Sequence, residues 1–258
     1  MPTTAPWQRH LRRLTTPPSP LVRLICVPHA GGAASSFQSW IRLVPSSIEL
    51  WAVQPPGRED RLNESPATDL IAEARKTAEA LQWVIDRPYA ILGHSMGALI
   101  AYETVRILEH RHQRGPDHLF VSSCVAPHQH SYTDHPLDTD EHVLNVAHDL
   151  GIATALPTNP DAYALSWPPL RDDLRLFLRY RYTPGARLHC QITVLEGQDE
   201  APRADSQGWA AQTTAGAHTI TFRGGHHYLF DDPGTVIAVL TKKCSLPVQP
   251  TISEGLPN

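Results

Sequence analysis

The chain has 258 residues, of which 41% are hydrophobic and 19% are charged, and its formal net charge at pH 7 is −4. This length and composition are ordinary for a globular protein, so we expect one large α/β domain, with or without an inserted subdomain. The slightly acidic balance gives no reason to expect nucleic acid or an anionic membrane as a partner.

The sequence also lacks the signals of secretion and of membrane insertion. No apolar stretch approaches the length that spans a bilayer. The first twenty residues carry Arg9, Arg12 and Arg13 where a secretory signal would need an apolar segment. The four cysteines are scattered and form no C-x-x-C pair, which indicates buried, reduced thiols. We therefore expect a cytoplasmic protein.

Apolar runs typical of strands alternate with helical patterns along the chain. Such alternation predicts a mostly parallel sheet with helices on both faces. Residues 1–20 and 245–258 are rich in Pro, Ser and Thr and are predicted to be flexible arms around a domain of residues 21–244. The predicted strands are 22–27, 48–53, 89–92, 118–125, 191–195 and 218–222, and the predicted helices are 36–43, 69–85, one starting at 98, and 233–240.

The segment of residues 126–187 interrupts this alternation. It contains helical pieces at 141–150 and 169–181, separated by proline-rich turns. An insertion between late strands of an α/β sheet lies where a lid would cover an active site, so we expect an inserted helical lid. Asp172 and Asp173 alternate with arginines in the second piece, which predicts a solvated helix edge.

The pentapeptide Gly93-His94-Ser95-Met96-Gly97 has the pattern G-x-S-x-G and stands between a predicted strand and a predicted helix. This context is typical of a nucleophile elbow, a sharp turn that presents a serine at the carboxyl end of the sheet. The glycines give room where the two backbones approach, and the serine takes a strained conformation. The pattern predicts Ser95 as a catalytic nucleophile.

A serine nucleophile needs a base, and the base needs an acid, in the chain order Ser, Asp or Glu, His. Asp199 follows a late predicted strand and is the predicted acid, with the adjacent Glu200 as a weaker candidate. The glycine-rich loop after the last predicted strand supplies His226 as the base. Spacing alone does not separate His226 from the neighbouring His227.

A serine hydrolase also needs two backbone N–H donors for the oxyanion. The pattern predicts the first at Met96, the residue after the nucleophile, and the second in the glycine-rich loop of residues 29–32. A cluster at 128–135 contains three histidines and Asp134, but it lacks the spacing of a metal-ligand set. We expect neither a metal nor a cofactor.

Five motifs extend this pattern from about residue 24 to residue 230, which is most of the chain. They are Pro28-His29-Ala30-Gly31-Gly32, Gln54-Pro55-Pro56-Gly57-Arg58-Glu59-Asp60-Arg61, Gly93-His94-Ser95-Met96-Gly97-Ala98, Tyr180-Arg181-Tyr182 and Gly224-Gly225-His226. Together they resemble the stand-alone, type II thioesterases of polyketide and nonribosomal peptide biosynthesis. The first two motifs are far more specific than G-x-S-x-G and separate this family from general esterases.

The resemblance implies an α/β-hydrolase fold with Ser95, Asp199 and His226 as the catalytic triad and the backbone of Ala30 and Met96 as the oxyanion hole. It further implies an enzyme that removes stalled or aberrant acyl groups from the phosphopantetheine arm of an acyl or peptidyl carrier protein. We expect the protein to be a monomer. Two alternatives remain at this point: an esterase acting on free small-molecule esters, and a hydrolase-like binding protein without catalysis.

Overall fold

The computed structural model describes residues 5–111, 114–130, 137–149, 159–200 and 206–244. Within these ranges seven strands form one sheet, and their bounds are β1 (Leu11–Arg13), β2 (Val22–Val27), β3 (Ile48–Val53), β4 (Tyr89–His94), β5 (His118–Ser122), β6 (Gln191–Gly197) and β7 (Ala217–Phe222). Their order in the sheet is β1-β3-β2-β4-β5-β6-β7. The pairing of β1 with β3 is antiparallel, and the other pairings are parallel.

Helices cover both faces of the sheet. They are α1 (Pro6–His10), α2 (Leu70–Leu81), α3 (Met96–His110), α4 (Asp140–Asp149), α5 (Pro160–Arg179), α6 (Ser206–Ala210), α7 (Tyr228–Asp231) and α8 (Pro233–Cys244), with 3-10 helices at Ala34–Arg42, Glu59–Arg61 and Pro127–Gln129. One apolar core contains residues of α2, α3 and α5, and the other contains residues of Ala34–Arg42, α7 and α8. Strands β2 to β5 are buried at every residue because both faces of the sheet are covered.

Most of the predicted elements are confirmed, with shifted ends. The strands predicted at 22–27 and 48–53 have the predicted bounds, whereas the helix predicted at 69–85 ends at Leu81. That helix begins at Leu70, one residue after the predicted start, because Asp69 is its N-cap and accepts a hydrogen bond from the Ala72 backbone N–H at 2.7 Å. The short helices α6 and α7 were not predicted, because four or five residues carry too little periodicity to recognise.

The prediction of a flexible arm at residues 1–20 is wrong for the part that the structure describes. Residues 6–13 form α1 and β1, and β1 extends the sheet at its edge. Leu11 is buried opposite Val53, and the Arg12 guanidinium bonds Asp60 at 2.6 Å. A three-residue strand depends on its partner strand rather than on a local pattern, so composition did not reveal it. Residues 245–258, the predicted second arm, lie outside the described residues.

The insertion between β5 and β6 contains α4 and α5, in agreement with the helical pieces predicted at 141–150 and 169–181. Helix α5 begins nine residues before the predicted piece. The Asn159 side chain caps its first turn by accepting from the backbone N–H groups of Asp161 and Ala162 at 3.0 and 3.1 Å. No helix in the described ranges is long and apolar enough to cross a membrane.

Candidate active site

Ser95 lies at the turn from β4 into α3 with φ 55° and ψ −123°, a conformation that residues other than glycine rarely adopt. The flanking glycines allow this turn. A Cβ on Gly93 would lie 2.2 Å from the Gly97 carbonyl oxygen, and one on Gly97 would lie 2.4 Å from the Val27 carbonyl oxygen. The Ser95 backbone N–H donates to the Ser122 carbonyl at 2.8 Å, which ties the turn to β5. The structure therefore builds the predicted elbow.

His226 lies in the loop after β7, and its Nδ1 is 2.9 Å from Oε1 of Glu200. Both side chains are buried, with 6% of His226 and 4% of Glu200 exposed. The second carboxylate oxygen of Glu200 accepts from the Gly197 backbone N–H at 3.2 Å. Glu200 thus has the position of an orienting acid, with one oxygen on the imidazole and the other fixed to the end of β6.

The prediction that Asp199 is the acid is not what the structure shows. The residues after β6 form a turn in which the Glu200 N–H donates to the Gly197 carbonyl at 3.2 Å. This turn leaves Asp199 exposed and directs the Glu200 side chain inward to His226. The choice between the adjacent carboxylates depends on the geometry of this turn, which no sequence pattern around Asp199 and Glu200 indicates.

The structure also separates His226 from His227. His227 packs its ring against His29 and Phe230, with ring centroids 5.7 and 6.4 Å apart. His226 instead holds a carboxylate and lies 5.1 Å, centroid to centroid, from His94, the residue before the nucleophile. His226 therefore has the carboxylate partner that a base needs, and its ring lies beside the elbow.

The environment keeps Glu200 ionised. Burial raises the pKa of its carboxyl group, but hydrogen bonding to His226 and Ser123 outweighs burial, so the pKa lies below its ordinary value. Burial lowers the pKa of His29 to about 3 and that of His94 well below its usual range, so both rings are neutral at physiological pH. A negative charge therefore faces His226, and its neutral neighbours do not oppose an imidazolium there.

The glycine-rich loop of residues 29–32 lies against the start of α3. A Cβ on Gly97 would also lie 2.5 Å from the Pro28 carbonyl oxygen, so the base of this loop contacts the elbow directly. Ala30 and Met96, the predicted oxyanion donors, are both buried at 3% exposure. The N-terminus of α3 adds its positive dipole end at this point. The Ala30 loop and the start of α3 are therefore neighbours, and Ala30 and Met96 as oxyanion donors remain a prediction.

Two charged residues that the sequence analysis did not assign to the site hold this loop from outside. The Gly31 backbone N–H donates to Oδ2 of Asp173 at 2.8 Å. Arg58 donates to both carboxylate oxygens of Asp173 and to the Gly32 carbonyl. The expectation that Asp173 lies on a solvated helix edge is therefore wrong, since only 5% of its side chain is exposed. The sequence motif that contains Arg58 could have indicated its role in the site, whereas no sequence pattern indicated that of Asp173.

The described histidines of the 128–135 cluster contact separate partners rather than a common site. His128 contacts the Gln212 amide nitrogen at 2.8 Å, and His130 contacts the Phe177 carbonyl at 2.8 Å. Asp134 and His135 lie outside the described residues. Among the residues that are described, no group of three or more His, Cys, Asp or Glu side chains is placed to hold a metal ion.

A mostly parallel sheet covered on both faces, with a strained serine between β4 and α3 and a histidine–carboxylate pair after the last strands, defines an α/β hydrolase. Residues 22–244 match the family model of the thioesterase domain. The chain therefore belongs to the thioesterase family, and it is a hydrolase.

Relatives from biosynthetic pathways agree with this assignment. The chain is 32% identical over 235 residues to gramicidin S biosynthesis protein GrsT of Aneurinibacillus migulanus, covering 90% of this chain and 92% of that protein. It is 34% identical over 226 residues to thioesterase PikA5 of Streptomyces venezuelae, covering 86% and 80%. The structure of the type II thioesterase BorB from the borrelidin biosynthetic cluster superposes with a TM-score of 0.79 at 28% identity, covering 91% of this chain and 97% of that one.

Proposed function

We propose that the protein hydrolyses acyl thioesters carried on the phosphopantetheine arm of acyl or peptidyl carrier proteins, through an acyl-enzyme on Ser95. The observation that carries the proposal is the buried His226–Glu200 pair beside the strained serine turn. The similarity to a type II thioesterase of a biosynthetic cluster supports the carrier-bound substrate and disfavours a general esterase. The strained Ser95 turn and the buried His226–Glu200 pair disfavour an inactive binding protein.

In the first half of the reaction, His226 accepts the proton of the Ser95 hydroxyl through Nε2 as the serine oxygen attacks the thioester carbonyl. Glu200 accepts a hydrogen bond from Nδ1–H, which leaves Nε2 as the basic nitrogen and stabilises the imidazolium that forms. The carbonyl oxygen becomes an oxyanion, and the backbone N–H groups of Ala30 and Met96 stabilise it.

The tetrahedral intermediate then collapses with cleavage of the C–S bond. A thiolate leaves more readily than an alkoxide or an amine, so protonation of the leaving group contributes less than stabilisation of the oxyanion. The carrier thiol departs with the proton that His226 held. His226 next takes a proton from water, which attacks the acyl-serine ester, and the products are a carboxylic acid and the regenerated Ser95 hydroxyl.

A panel of acyl groups tests this proposal. Each acyl group is presented on a phosphopantetheinylated carrier protein, as the N-acetylcysteamine thioester and as the matching ethyl ester, and kcat/KM is measured for each form. We expect the carrier-bound thioesters to be preferred and the ethyl esters to be the poorest substrates. Ser95→Ala should abolish turnover with the fold intact, because it removes the nucleophile. Equal rates on thioesters and ethyl esters would instead identify an esterase, and an active Ser95→Ala variant would refute the assigned nucleophile.

A further inference from the structure

The glycine-rich loop that carries Ala30 takes one of its hydrogen-bond partners from the inserted helix α5 rather than from the sheet. The Asp173 carboxylate on α5 accepts from the Gly31 N–H at 2.8 Å. Gly31 has φ +78°, and a Cβ placed on it would lie 3.0 Å from Cβ of Leu170, one turn earlier on α5. The loop is therefore enclosed between the elbow on one side and α5 on the other.

Asp173 is itself held in place by Arg58. The guanidinium donates to Oδ2 and Oδ1 of Asp173 at 2.5 and 2.8 Å, and it donates to the Gly32 carbonyl at 2.9 Å. Only 6% of the Arg58 side chain and 5% of the Asp173 side chain are exposed. A buried ion pair is expensive to desolvate and is weak support for stability, so its fixed geometry needs another explanation. Here the pair fixes two peptide groups of the loop, Ala30–Gly31 through its N–H and Gly32–Ala33 through its carbonyl.

The first of these peptide groups adjoins Ala30, the predicted oxyanion donor. The peptide that contains the Gly31 N–H begins at Ala30, so its orientation determines the backbone angle ψ of Ala30 and constrains where the Ala30 N–H points. A second bond, from the Gly32 N–H to the His29 carbonyl at 2.9 Å, closes the turn around Ala30. Oxyanion donors act only when they are preorganised, and a misplacement of about 1 Å can cost about 100-fold in rate.

We propose that Asp173 is a positioning residue for the oxyanion hole, that its carboxylate orients the Ala30–Gly31 peptide, and that Arg58 holds the carboxylate in place. Because Asp173 belongs to the insertion, the oxyanion hole is complete only while α5 is docked on the loop. This inference deepens the proposed function and rests on its assignment of Ser95 and Ala30.

The decisive variant removes the Arg58–Asp173 ion pair without leaving a buried charge. Arg58→Met combined with Asp173→Leu replaces the ion pair by apolar side chains, a change that is often tolerated in stability. We expect kcat on octanoyl-N-acetylcysteamine to fall by about 10- to 100-fold with KM within about twofold, because substrate binding does not use the oxyanion donors. Affinity for butylboronic acid, whose tetrahedral serine adduct occupies the oxyanion hole, should fall in proportion to kcat/KM.

Asp172→Leu is the matched control, since Asp172 is the neighbouring residue of α5 and its carboxylate pairs with Arg171 and Arg175 at the surface. It should leave kcat and boronate affinity within about twofold of the wild type. The proposal would be overturned by a double variant with the same denaturant midpoint as the wild type and with unchanged kcat and boronate affinity.

If the double variant does not fold, Asp173→Asn takes its place, because it keeps the side-chain size and loses the charge that holds Arg58. About tenfold lower kcat at unchanged KM is expected, and unchanged kcat overturns the proposal. Boronate binding needs no thioester. If the wild type failed to hydrolyse carrier-bound thioesters, the proposed function would fail, whereas the boronate comparison would still decide the role of Asp173.

Discussion

At the scale of single residues, two adjacent carboxylates after β6 have opposite environments and therefore different expected roles. Glu200 is buried on His226, whereas Asp199 is exposed. We expect Glu200→Gln to lower kcat by about 10³- to 10⁴-fold, because a neutral amide does not stabilise the imidazolium and its N–H can select the wrong histidine tautomer. Asp199→Asn is the matched control and should stay within about twofold. Steady-state thioester hydrolysis measures both, and the opposite ranking would return the acid role to Asp199.

Glu73 is a second carboxylate with an unusual environment. It is 3% exposed on α2, and neither of its oxygens accepts a hydrogen bond from the described residues. Burial raises its pKa from 4.5 to about 7. The neighbouring His10 does not offset this, because burial lowers the pKa of His10 to about 3 and keeps the ring neutral. Glu73 is therefore protonated in the folded protein below neutral pH.

This pKa predicts how stability depends on pH. Between pH 4.5 and pH 7 the folded state holds a proton on Glu73 that the unfolded state has lost, so the free energy of unfolding falls as pH rises. The cost is fully present above pH 7 and amounts to about 3 kcal/mol. We expect Glu73→Gln to remove it, so that the variant gains about 3 kcal/mol relative to the wild type between pH 4.5 and pH 8.

Urea unfolding of the wild type and the variant at several pH values measures this gain. The exposed Glu79 lies on the same helix, and Glu79→Gln serves as the matched control with no comparable gain. A Glu73→Gln variant whose stability follows the wild type in parallel at every pH would show that Glu73 is ionised in the folded state.

At the scale of secondary structure elements, β1 tests whether the N-terminal segment belongs to the folded domain. Leu11 is 2% exposed opposite Val53, whereas Leu21, just before β2, is 72% exposed. We expect Leu11→Ala to lower the free energy of unfolding by about 2–4 kcal/mol, because it leaves a cavity in the core, and Leu21→Ala to change it by less than about 0.5 kcal/mol. Denaturant titration measures both. Equal effects of the two substitutions would mean that β1 adds nothing to the sheet.

The elements that the sequence predicted are those whose signal is local. The elbow at Ser95 and the central strands were predicted from glycine positions and apolar runs, and each of these signals lies within a short stretch of the chain. Helix α5 shows the limit of such reasoning. Pro168 and Pro169 lie inside it and indicated a break, because proline removes a backbone donor and crowds the preceding turn. The helix continues because Trp167 and Leu170 are buried in the core, a tertiary contact that no local pattern contains.

The residues of the site also divide into those with a local sequence signal and those without one. Ser95, the adjacent pair His226 and His227, and the loop at Ala30 were predictable because each follows a recognisable strand, whereas the choice of His226 needed the structure. Glu200 required the geometry of a turn, and Asp173 required the packing of an insertion on a loop 142 residues away in the chain. Contacts over such separations depend on the whole fold, so a single sequence does not reveal them.

At the scale of the whole molecule, α5 packs its apolar residues into the core and adds polar attachments at two separate places. Near the catalytic edge, Asp173 holds the loop that contacts the start of α3. Just past the end of α5, the Tyr180 hydroxyl donates to Oε1 of Glu103 at 2.6 Å, and Arg106 donates to the same carboxylate at 3.0 and 3.1 Å. If Asp173 acts on the oxyanion loop, the two attachments have separable consequences, since only the first touches a catalytic group.

Tyr180→Phe tests this separation, because it removes the second attachment and leaves the first intact. A hydrogen bond to a charged acceptor contributes about 1.5–3 kcal/mol to stability. Because Glu103 keeps its pairing with Arg106, we expect the free energy of unfolding to fall by an amount near the lower end of that range. The kcat on octanoyl-N-acetylcysteamine should stay within about twofold. Tyr163→Phe is the control on the same helix, since the Tyr163 hydroxyl makes no hydrogen bond to the described residues and its ring stacks on Trp167. A large loss of kcat in Tyr180→Phe would mean that displacement at one end of α5 reaches the oxyanion loop at the other, so that the insertion acts on the active site as one rigid body.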